Sequence, residues 1–267
     1  MSLNMDVNIF ILCYNESIML PHTINHYRRN FPNSIITVLD NESTDNSLEI
    51  ILSMGCEVAT FSTNYELNEH KQTWLKDHFW MTVKNGWIIM VDMDEWLCAT
   101  EEDLANELRD NTSILTTKGV DIIGESNELN LGDVDLNTIN RVVDNKKEDK
   151  HVCFYRNDVE KMNYTLGAHY CSPQGNNIKY SSKTYYIKHM SNLGIPYLIQ
   201  KINKNYERTH RMRMNYLICQ EYTSDVEKIT NNYKSLFDKS YILDSFESFY
   251  GKPRETQETH EIQEKTI

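Results

Sequence analysis

Residues 87–95 of the chain read WIIMVDMDE, and this stretch decides the fold and locates the candidate chemistry. Five apolar residues are followed by carboxylates at Asp92, Asp94 and Glu95. An apolar run of this length predicts a buried strand, and ligands of open parallel sheets bind where such strands end. Two carboxylates one residue apart can share a divalent cation. Solvent-facing acids that merely end a buried strand are the alternative.

Further apolar runs precede this stretch. They lie at residues 7–13, 35–39 and 58–61, and amphipathic segments at 17–30 and 47–54 separate them. Strand-like runs that alternate with amphipathic segments predict a parallel sheet with crossover helices. The chain is therefore expected to have an α/β fold.

Polar side chains follow the first two predicted strands. Tyr14, Asn15 and Glu16 come directly after the first, and Asp40 comes directly after the second. A carboxylate in the position of Asp40 is suited to accept hydrogen bonds from a base or a ribose. Alternatively, these polar residues serve only to form loops and cap helices. That role accounts for residues 43–46 but explains Asp40 less well.

The pattern becomes less regular towards the carboxyl end of the chain. An Asn- and Asp-rich segment of the kind found in functional loops interrupts the strands. We predict helices at 69–83, 100–108, 197–206 and 226–237, strands at 120–123, 152–155 and 185–187, a polar segment at 124–149 and a polar tail at 251–267.

Composition and charge narrow the classes of function. The 267 residues have a formal net charge of −12, which argues against a nucleic-acid partner, because such partners are held by clustered Lys and Arg. The 6 cysteines form no CxxC pair, which indicates reduced thiols rather than disulfides or a zinc site. No apolar stretch reaches membrane-spanning length. We therefore expect a cytoplasmic protein without a transmembrane segment.

Taken in order, these motifs resemble the family-two glycosyltransferases with the GT-A fold. That family has a strand followed by Asn-Glu, a strand ending in Asp-x-x-Ser-x-Asp, and then a metal-binding Asp-x-Asp. A subgroup with a Trp-x-x-x-x-Asp-x-Asp-Glu run is closer still, and its upstream Lys-x-x-Trp matches Lys71 and Trp74. Segments 167–170 and 187–191 also resemble this subgroup, although Met190 stands where an aromatic residue is usual.

The resemblance implies both a fold and an activity. The fold is GT-A, a Rossmann-like, mostly parallel central sheet flanked by helices, with a less regular acceptor-side half. The activity is metal-dependent transfer of a sugar from a nucleotide-sugar donor, a UDP-sugar, to a hydroxyl of a glycan or other acceptor, with inversion. The implied donor contacts are Tyr14, Asn15, Glu16, Asp40, Lys71 and Asp92, and the implied ligands of Mn²⁺ or Mg²⁺ are Asp92, Asp94 and His189.

An inverting transfer also needs a general base near the acceptor hydroxyl. The candidates are Glu125, which follows the predicted strand at 120–123, and His169. Asp94 or Glu95 could serve instead, and a solvated loop glutamate is the alternative for Glu125.

The resemblance further implies a single GT-A domain over residues 1–250. Residues 1–100 form its nucleotide-sugar-binding half, residues 101–215 its acceptor and metal-completing half, and residues 216–250 its C-terminal helices. The oligomeric state and the acceptor stay open.

Two other functions are compatible with paired carboxylates on an α/β sheet. A nucleotidyltransferase uses similar chemistry, but its Gly-rich, basic loop is missing, since residues 13–17 contain neither glycine nor lysine. A catalytically inactive nucleotide- or carbohydrate-binding protein of the same fold is the second alternative. Dinucleotide, P-loop and serine-hydrolase motifs are absent from the sequence.

Overall fold

The strands include all the predicted apolar runs and several further segments. A computed structural model describes residues 5–217, 219 and 222–251, so the predicted polar tail lies outside the described residues from position 252 onwards. The strands are β1 (Val7–Cys13), β2 (Ile35–Asp40), β3 (Glu57–Thr60), β4 (Trp87–Asp92), β5 (Glu95–Cys98), β6 (Ile114–Ile123), β7 (Arg141–Asp144), β8 (Cys153–Tyr155), β9 (Val159–Lys161), β10 (Gln174–Gly175), β11 (Tyr180–Asn192), β12 (Tyr241–Ile242) and β13 (Phe249–Tyr250).

The helices overlap the predicted segments, although the helix predicted at 69–83 ends at His78 and the helix that begins at His210 was not predicted. They are α1 (Leu20–Asn30), α2 (Ser47–Ser53), α3 (Glu69–His78), α4 (Glu101–Arg109), α5 (Ile195–Arg208), α6 (His210–Asn215) and α7 (Val226–Lys239). The side chain of Thr100 and that of Asp103 form a reciprocal capping box at the start of α4, which explains why this helix begins where it does. None of the described helices has the length and apolarity that a bilayer crossing requires.

A parallel block of strands forms the centre of the sheet. β1 pairs in parallel with β2 on one side and with β4 on the other, and β3 extends the block beyond β2. The connections within this block run through α1, α2 and α3. The predicted α/β architecture, a mostly parallel central sheet flanked by helices, is confirmed.

Apolar side chains cover both faces of this block. Ile9 and Ile11 belong to a buried cluster that includes the inner side of α1, whereas Phe10 and Leu12 belong to a second cluster that includes Leu75 of α3. Successive residues of a strand point to opposite faces. Burial on both faces explains why these strands read as continuous apolar runs rather than as alternating patterns.

The second half of the chain extends the sheet in a less regular way. β8 lies between β4 and β6 and is antiparallel to both, and β7 and then β12 follow at the edge. β11 pairs in parallel with β6 and antiparallel with β5 and β13. β11 is much longer than the strand predicted at 185–187, because its first residues are polar and give no apolar signal.

Candidate active site

The ends of three parallel strands meet at one edge of the sheet. In the register of the parallel block, Cys13 lies beside Asp40 and Leu12 lies beside Asp92. A cleft of about 550 Å³ opens at this edge, within the size range of small-molecule sites. Its lining includes the predicted residues Tyr14, Glu16, Asp92, Asp94, His169 and His189.

The acidic motif forms a tight turn between β4, which ends at Asp92, and β5, which begins at Glu95. Two side chains of α1 hold the backbone of this turn. The hydroxyl of Thr23 donates to the carbonyl of Met93 at 2.7 Å, and the hydroxyl of Tyr27 donates to the carbonyl of Glu95 at 2.7 Å. The carboxylates therefore project from a backbone that is anchored to the core.

Glu95 lies beneath the turn in a buried group of charges. Its Oε2 accepts a hydrogen bond from the backbone N–H of Asp92 at 2.9 Å. The Nζ of Lys150 lies 2.5 Å from Glu95 Oε1 and 2.9 Å from Glu148 Oε2. Burial alone would lower the pKa of Lys150, but the carboxylates of Glu95, Glu148 and Asp92 raise it well above its ordinary value. Lys150 is therefore a buried cation that neutralises the carboxylates beneath the turn.

Asp92 also has ammonium groups as neighbours. Its Oδ2 lies 2.7 Å from the Nζ of Lys76 and 3.9 Å from the Nζ of Lys150. Burial would raise the pKa of Asp92, but Lys76 and Lys150 together bring it below its ordinary value. Asp92 is therefore ionised and already paired with cations of the chain itself.

His189 connects Asp94 to a second carboxylate. Its Nε2 lies 3.1 Å from Asp94 Oδ2, and its Nδ1 lies 2.6 Å from Asp121 Oδ1. β11 brings about this arrangement, because His189 is the partner of Glu95 in β5 and of Asp121 in β6. Burial alone would lower the pKa of His189, but Asp94 and Asp121 raise it well above its ordinary value.

Lys201 of α5 contacts the same carboxylate of Asp94. Its Nζ bonds to Asp94 Oδ2 and lies 3.2 Å from the hydroxyl of Ser191. Burial would raise the pKa of Asp94, but Lys201 and His189 hold it well below its ordinary value. Asp94 is thus ionised and has two cationic neighbours.

The predicted metal ligands are partly arranged for a divalent cation. Within the part of the chain that the structure describes, no three His, Cys, Asp or Glu side chains form a group that could hold a metal ion. Asp94 Oδ2 and His189 Nε2 do converge, at 3.1 Å, and the second nitrogen of His189 has the carboxylate partner typical of ligating histidines. Mg²⁺ at phosphate sites commonly takes one or two carboxylates and completes its shell with phosphate oxygens and water. Asp94 and His189 therefore fit the protein's share of such a site when the imidazole has lost its second proton, because only a neutral imidazole coordinates a metal ion.

The loop after β1 is tied to the loop after β2. The backbone N–H of Thr44 donates to Asn15 Oδ1 at 2.7 Å, and the backbone N–H of Glu16 donates to Ser47 Oγ at 2.9 Å. Asn15 adopts a left-handed backbone conformation with φ of 50°, a region that Asn tolerates better than most residues. The side chain of Asn15 is therefore committed to holding the two loops together.

One face of α5 brings cations into the cleft. Lys201, Lys204 and Arg208 follow one another at helical spacing, and all three line the cleft. The Nζ of Lys204 lies 2.6 Å from Glu16 Oε1, and the guanidinium carbon of Arg208 lies 3.4 Å from the ring centroid of Tyr14. α5 thus forms a basic wall opposite the acidic turn.

Asp40 is buried at the end of β2 with one oxygen unsatisfied. The residue is 3% exposed, and its Oδ2 accepts a hydrogen bond from the backbone N–H of Ser43 at 3.1 Å. Among the described residues, Oδ1 has no hydrogen-bond partner. A buried carboxylate oxygen without a partner costs free energy. The described lining of the cleft does not include Asp40, although its neighbour Cys13 lies in that lining.

The two candidate bases occupy different environments. His169 lines the cleft, and its Nδ1 lies 2.9 Å from the carbonyl oxygen of Lys147. Since a carbonyl can only accept, Nδ1 carries the proton and Nε2 can take another. Glu125 has a side chain that is 66% exposed and lies 3.7 Å from Arg141 Nε. The described lining of the cleft does not include Glu125.

Lys71 and Lys76 point in different directions from α3. The Nζ of Lys71 lies 4.6 Å from the ring centroid of Trp74, a half-exposed residue, whereas Lys76 reaches Asp92. Five residues along an α-helix separate two side chains by about 140° around its axis. The structure therefore brings Lys76, rather than Lys71, to the acidic turn.

Sequence reasoning missed most of the groups that neutralise the acidic turn. The helical spacing of Lys201, Lys204 and Arg208 is a signal that could have found the basic wall. Asp121 is also detectable, since it interrupts an apolar strand. Lys150 directly follows the polar segment at 124–149, and nothing in the surrounding sequence marks it as a site residue.

Comparison with known proteins finds only weak structural similarities. No protein-family model matches the chain, and no curated protein matches it. A crystal structure of S. aureus TarS 1–349 in complex with UDP is similar over 46% of this chain and 38% of that chain, at 16% identity and a TM-score of 0.37. A second structure of S. aureus TarS is similar over 86% of this chain and 43% of that one, at 13% identity and a TM-score of 0.44.

Glucosyl-3-phosphoglycerate synthase from Mycobacterium tuberculosis is also similar in part. Its structure in complex with Mn²⁺, UDP and glucosyl-3-phosphoglycerate aligns over 43% of this chain and 44% of that chain, at 14% identity and a TM-score of 0.32. In these three comparisons the aligned part covers 38%, 43% and 44% of the other chain. Likenesses at this level carry no argument about the reaction.

Proposed function

We propose that the chain is a metal-dependent glycosyltransferase of the GT-A type, which transfers a sugar from a UDP-sugar to an acceptor hydroxyl with inversion. The proposal rests on the meeting of three groups at one edge of the sheet. They are the unsatisfied oxygen of Asp40, the acidic turn at residues 92–95 and the basic wall of α5. The cleft thus offers a ligand for a metal and cations for phosphates, and Asp40, beside Cys13 of the cleft lining, offers a contact for a nucleobase.

In this proposal, the nucleobase of the donor binds next to Asp40. Its buried Oδ1 needs a hydrogen-bond donor. Uracil and guanine can supply a ring N–H, and adenine and cytosine can supply an exocyclic amino N–H, so this contact alone does not select one nucleobase. The family-two resemblance favours uridine.

In this proposal, the diphosphate of the donor binds between the acidic turn and α5. Lys204 and Lys201 face this region, but they are already paired with Glu16 and Asp94. An incoming diphosphate therefore brings negative charge that these lysines do not balance. A divalent ion held by Asp94 and His189 would balance that charge and stabilise the departing nucleoside diphosphate.

The acceptor is activated by His169 in this proposal. Its Nδ1 donates to the carbonyl of Lys147, so that Nε2 keeps its lone pair and can remove the proton of an acceptor hydroxyl. Glu125 stays the other candidate, although its exposed carboxylate faces Arg141.

A thermal-shift panel of nucleotides and nucleotide sugars, with and without Mn²⁺, tests the proposal. UDP-sugars with Mn²⁺ should raise the melting temperature, since a ligand at 100 times its Kd adds about 2.7 kcal/mol of stability. Absence of any shift with uridine ligands would refute it. Stronger shifts with nucleoside triphosphates would favour a nucleotidyltransferase. If a UDP-sugar binds but is not even slowly hydrolysed to UDP, the chain is an inactive binding protein.

A further inference from the structure

Lys201 holds the oxygen of Asp94 that a metal would use. Its Nζ contacts Asp94 Oδ2, and the same oxygen lies 3.1 Å from His189 Nε2. The side chain of Lys201 is 13% exposed, and its Nζ is also 3.2 Å from Ser191 Oγ. The ammonium group is thus seated inside the site rather than reaching it from solvent.

An ammonium group and a divalent cation cannot both occupy this position. An ion held between Asp94 and His189 would lie within a few ångströms of Lys201 Nζ, where like charges repel strongly in a poorly solvated site. The ammonium must therefore leave Asp94, and His189 Nε2 must give up its proton, before the ion enters. If it left without finding another acceptor, it would become a buried cation without a counter-ion, which is strongly unfavourable.

The diphosphate of the donor is the acceptor that Lys201 lacks. Lys201 shares the cleft-lining face of α5 with Lys204 and Arg208, next to the region assigned to the diphosphate. When a phosphate oxygen accepts the ammonium, Asp94 becomes free for the metal. The metal then balances the charge that the nucleotide brings. The diphosphate thus frees Asp94 for the metal, and the metal neutralises negative charge that would otherwise oppose binding of the diphosphate.

We propose that Lys201 is an internal counter-ion that keeps the divalent cation off Asp94 until the donor diphosphate accepts its ammonium group, so that metal and nucleotide bind cooperatively. This inference rests on the proposed function, because it requires a nucleoside diphosphate in the cleft. It assigns Lys201 a positioning role that differs from simple phosphate binding, because the side chain opposes metal binding when no nucleotide is present.

The test is a calorimetric measurement of Mn²⁺ affinity with and without UDP. It compares the wild type with Lys201→Met, Lys201→Gln and Lys204→Met. Glutamine keeps an N–H group for Asp94 and Ser191 but lacks the charge, so it provides a second variant if Lys201→Met folds poorly. Lys204→Met is the matched control, because Lys204 lies on the same face of α5 but pairs with Glu16.

We expect UDP to raise the Mn²⁺ affinity of the wild type by roughly 10-fold or more, and Mn²⁺ to raise the UDP affinity by the same factor. Without UDP, both Lys201 variants should bind Mn²⁺ roughly 10-fold more tightly than the wild type, and the coupling should shrink by that factor. Lys204→Met should weaken UDP binding and leave the affinity for Mn²⁺ alone unchanged.

Folded Lys201 variants that bind Mn²⁺ alone no more tightly than the wild type would overturn the inference. An equal gain in Lys204→Met would overturn it as well, since it would show a general effect of charge. Either result leaves the proposed function standing if the wild type binds UDP. A wild type that binds no UDP, with or without Mn²⁺, refutes the proposed function and with it the coupling.

Discussion

Replacing Lys150 by Met should destabilise the protein strongly, because it leaves two carboxylates buried without their cation. The side chains of Lys150, Glu95 and Glu148 are 6%, 2% and 8% exposed. Methionine has a similar length and leaves little empty space. The effect therefore reports on the lost charge rather than on lost packing.

The size of the effect follows from this burial. Removing one partner of a buried ion pair costs about 3–5 kcal/mol. At about 2 °C for each kcal/mol in a chain of this size, the melting temperature should fall by roughly 6–10 °C. The double variant Lys150→Met, Glu95→Gln should recover part of this loss, because one of the stranded charges is then gone.

Urea unfolding followed by circular dichroism measures these differences. Lys118→Met is the control, since Lys118 pairs with Asp144 at 3.0 Å while both side chains are much more exposed, at 34% and 53%. Exposed pairs contribute about 0.2–1 kcal/mol. A loss in Lys150→Met no larger than in this control would refute the reasoning.

Four further predictions concern the site and its support. Asp94→Ala should abolish Mn²⁺-dependent UDP binding while cooperative melting survives; unchanged affinity by calorimetry would contradict the placement of the metal. UDP should outcompete ADP and GDP, and Asp40→Asn should reduce that preference; a clear win for purines in a competition assay would exclude the proposed base contact. His169→Gln should lower sugar transfer about 10²- to 10⁴-fold at unchanged donor affinity, whereas Glu125→Gln should stay near the wild type, and the reverse result would make Glu125 the base. Burial lowers the pKa of His26 from 6.5 to about 4, so the unfolded state takes up a proton first as the pH falls. Stability should thus drop by about 2 kcal/mol between pH 7 and pH 5, and urea unfolding of His26→Gln should show a much smaller drop.

The parallel block could be predicted from the sequence because its strands are buried on both faces. β1 and β4 therefore read as uninterrupted apolar runs, and their predicted bounds agree with the structure to about one residue. β5 was missed, because Glu95–Cys98 follows the acidic turn so closely that it resembles a continuation of the motif. Its identity as a strand depends on pairing with β11, which lies far away in the chain.

The partners of the acidic turn could not be predicted for a related reason. Lys201 is separated from Asp94 by 107 positions, and Lys150 is separated from Glu95 by 55. Contacts between residues so far apart in the sequence depend on strand register and helix orientation, and a local sequence pattern contains neither. His189 was accessible only through the family resemblance, whereas its contact with Asp121 required the parallel pairing of β11 with β6.

The hydrogen bonds between the loops after β1 and β2 bear on how donor preference could change. Asn15 and Glu16 in one loop are held by Thr44 in the other loop and by Ser47 at the start of α2, so a displacement of one loop would strain its bonds to the other. A substitution that makes room for a different base near Asp40 would also displace the segment that faces the phosphates. Redirecting the protein to another nucleotide should thus require concerted changes in both loops, and single substitutions in either should weaken all nucleotides alike.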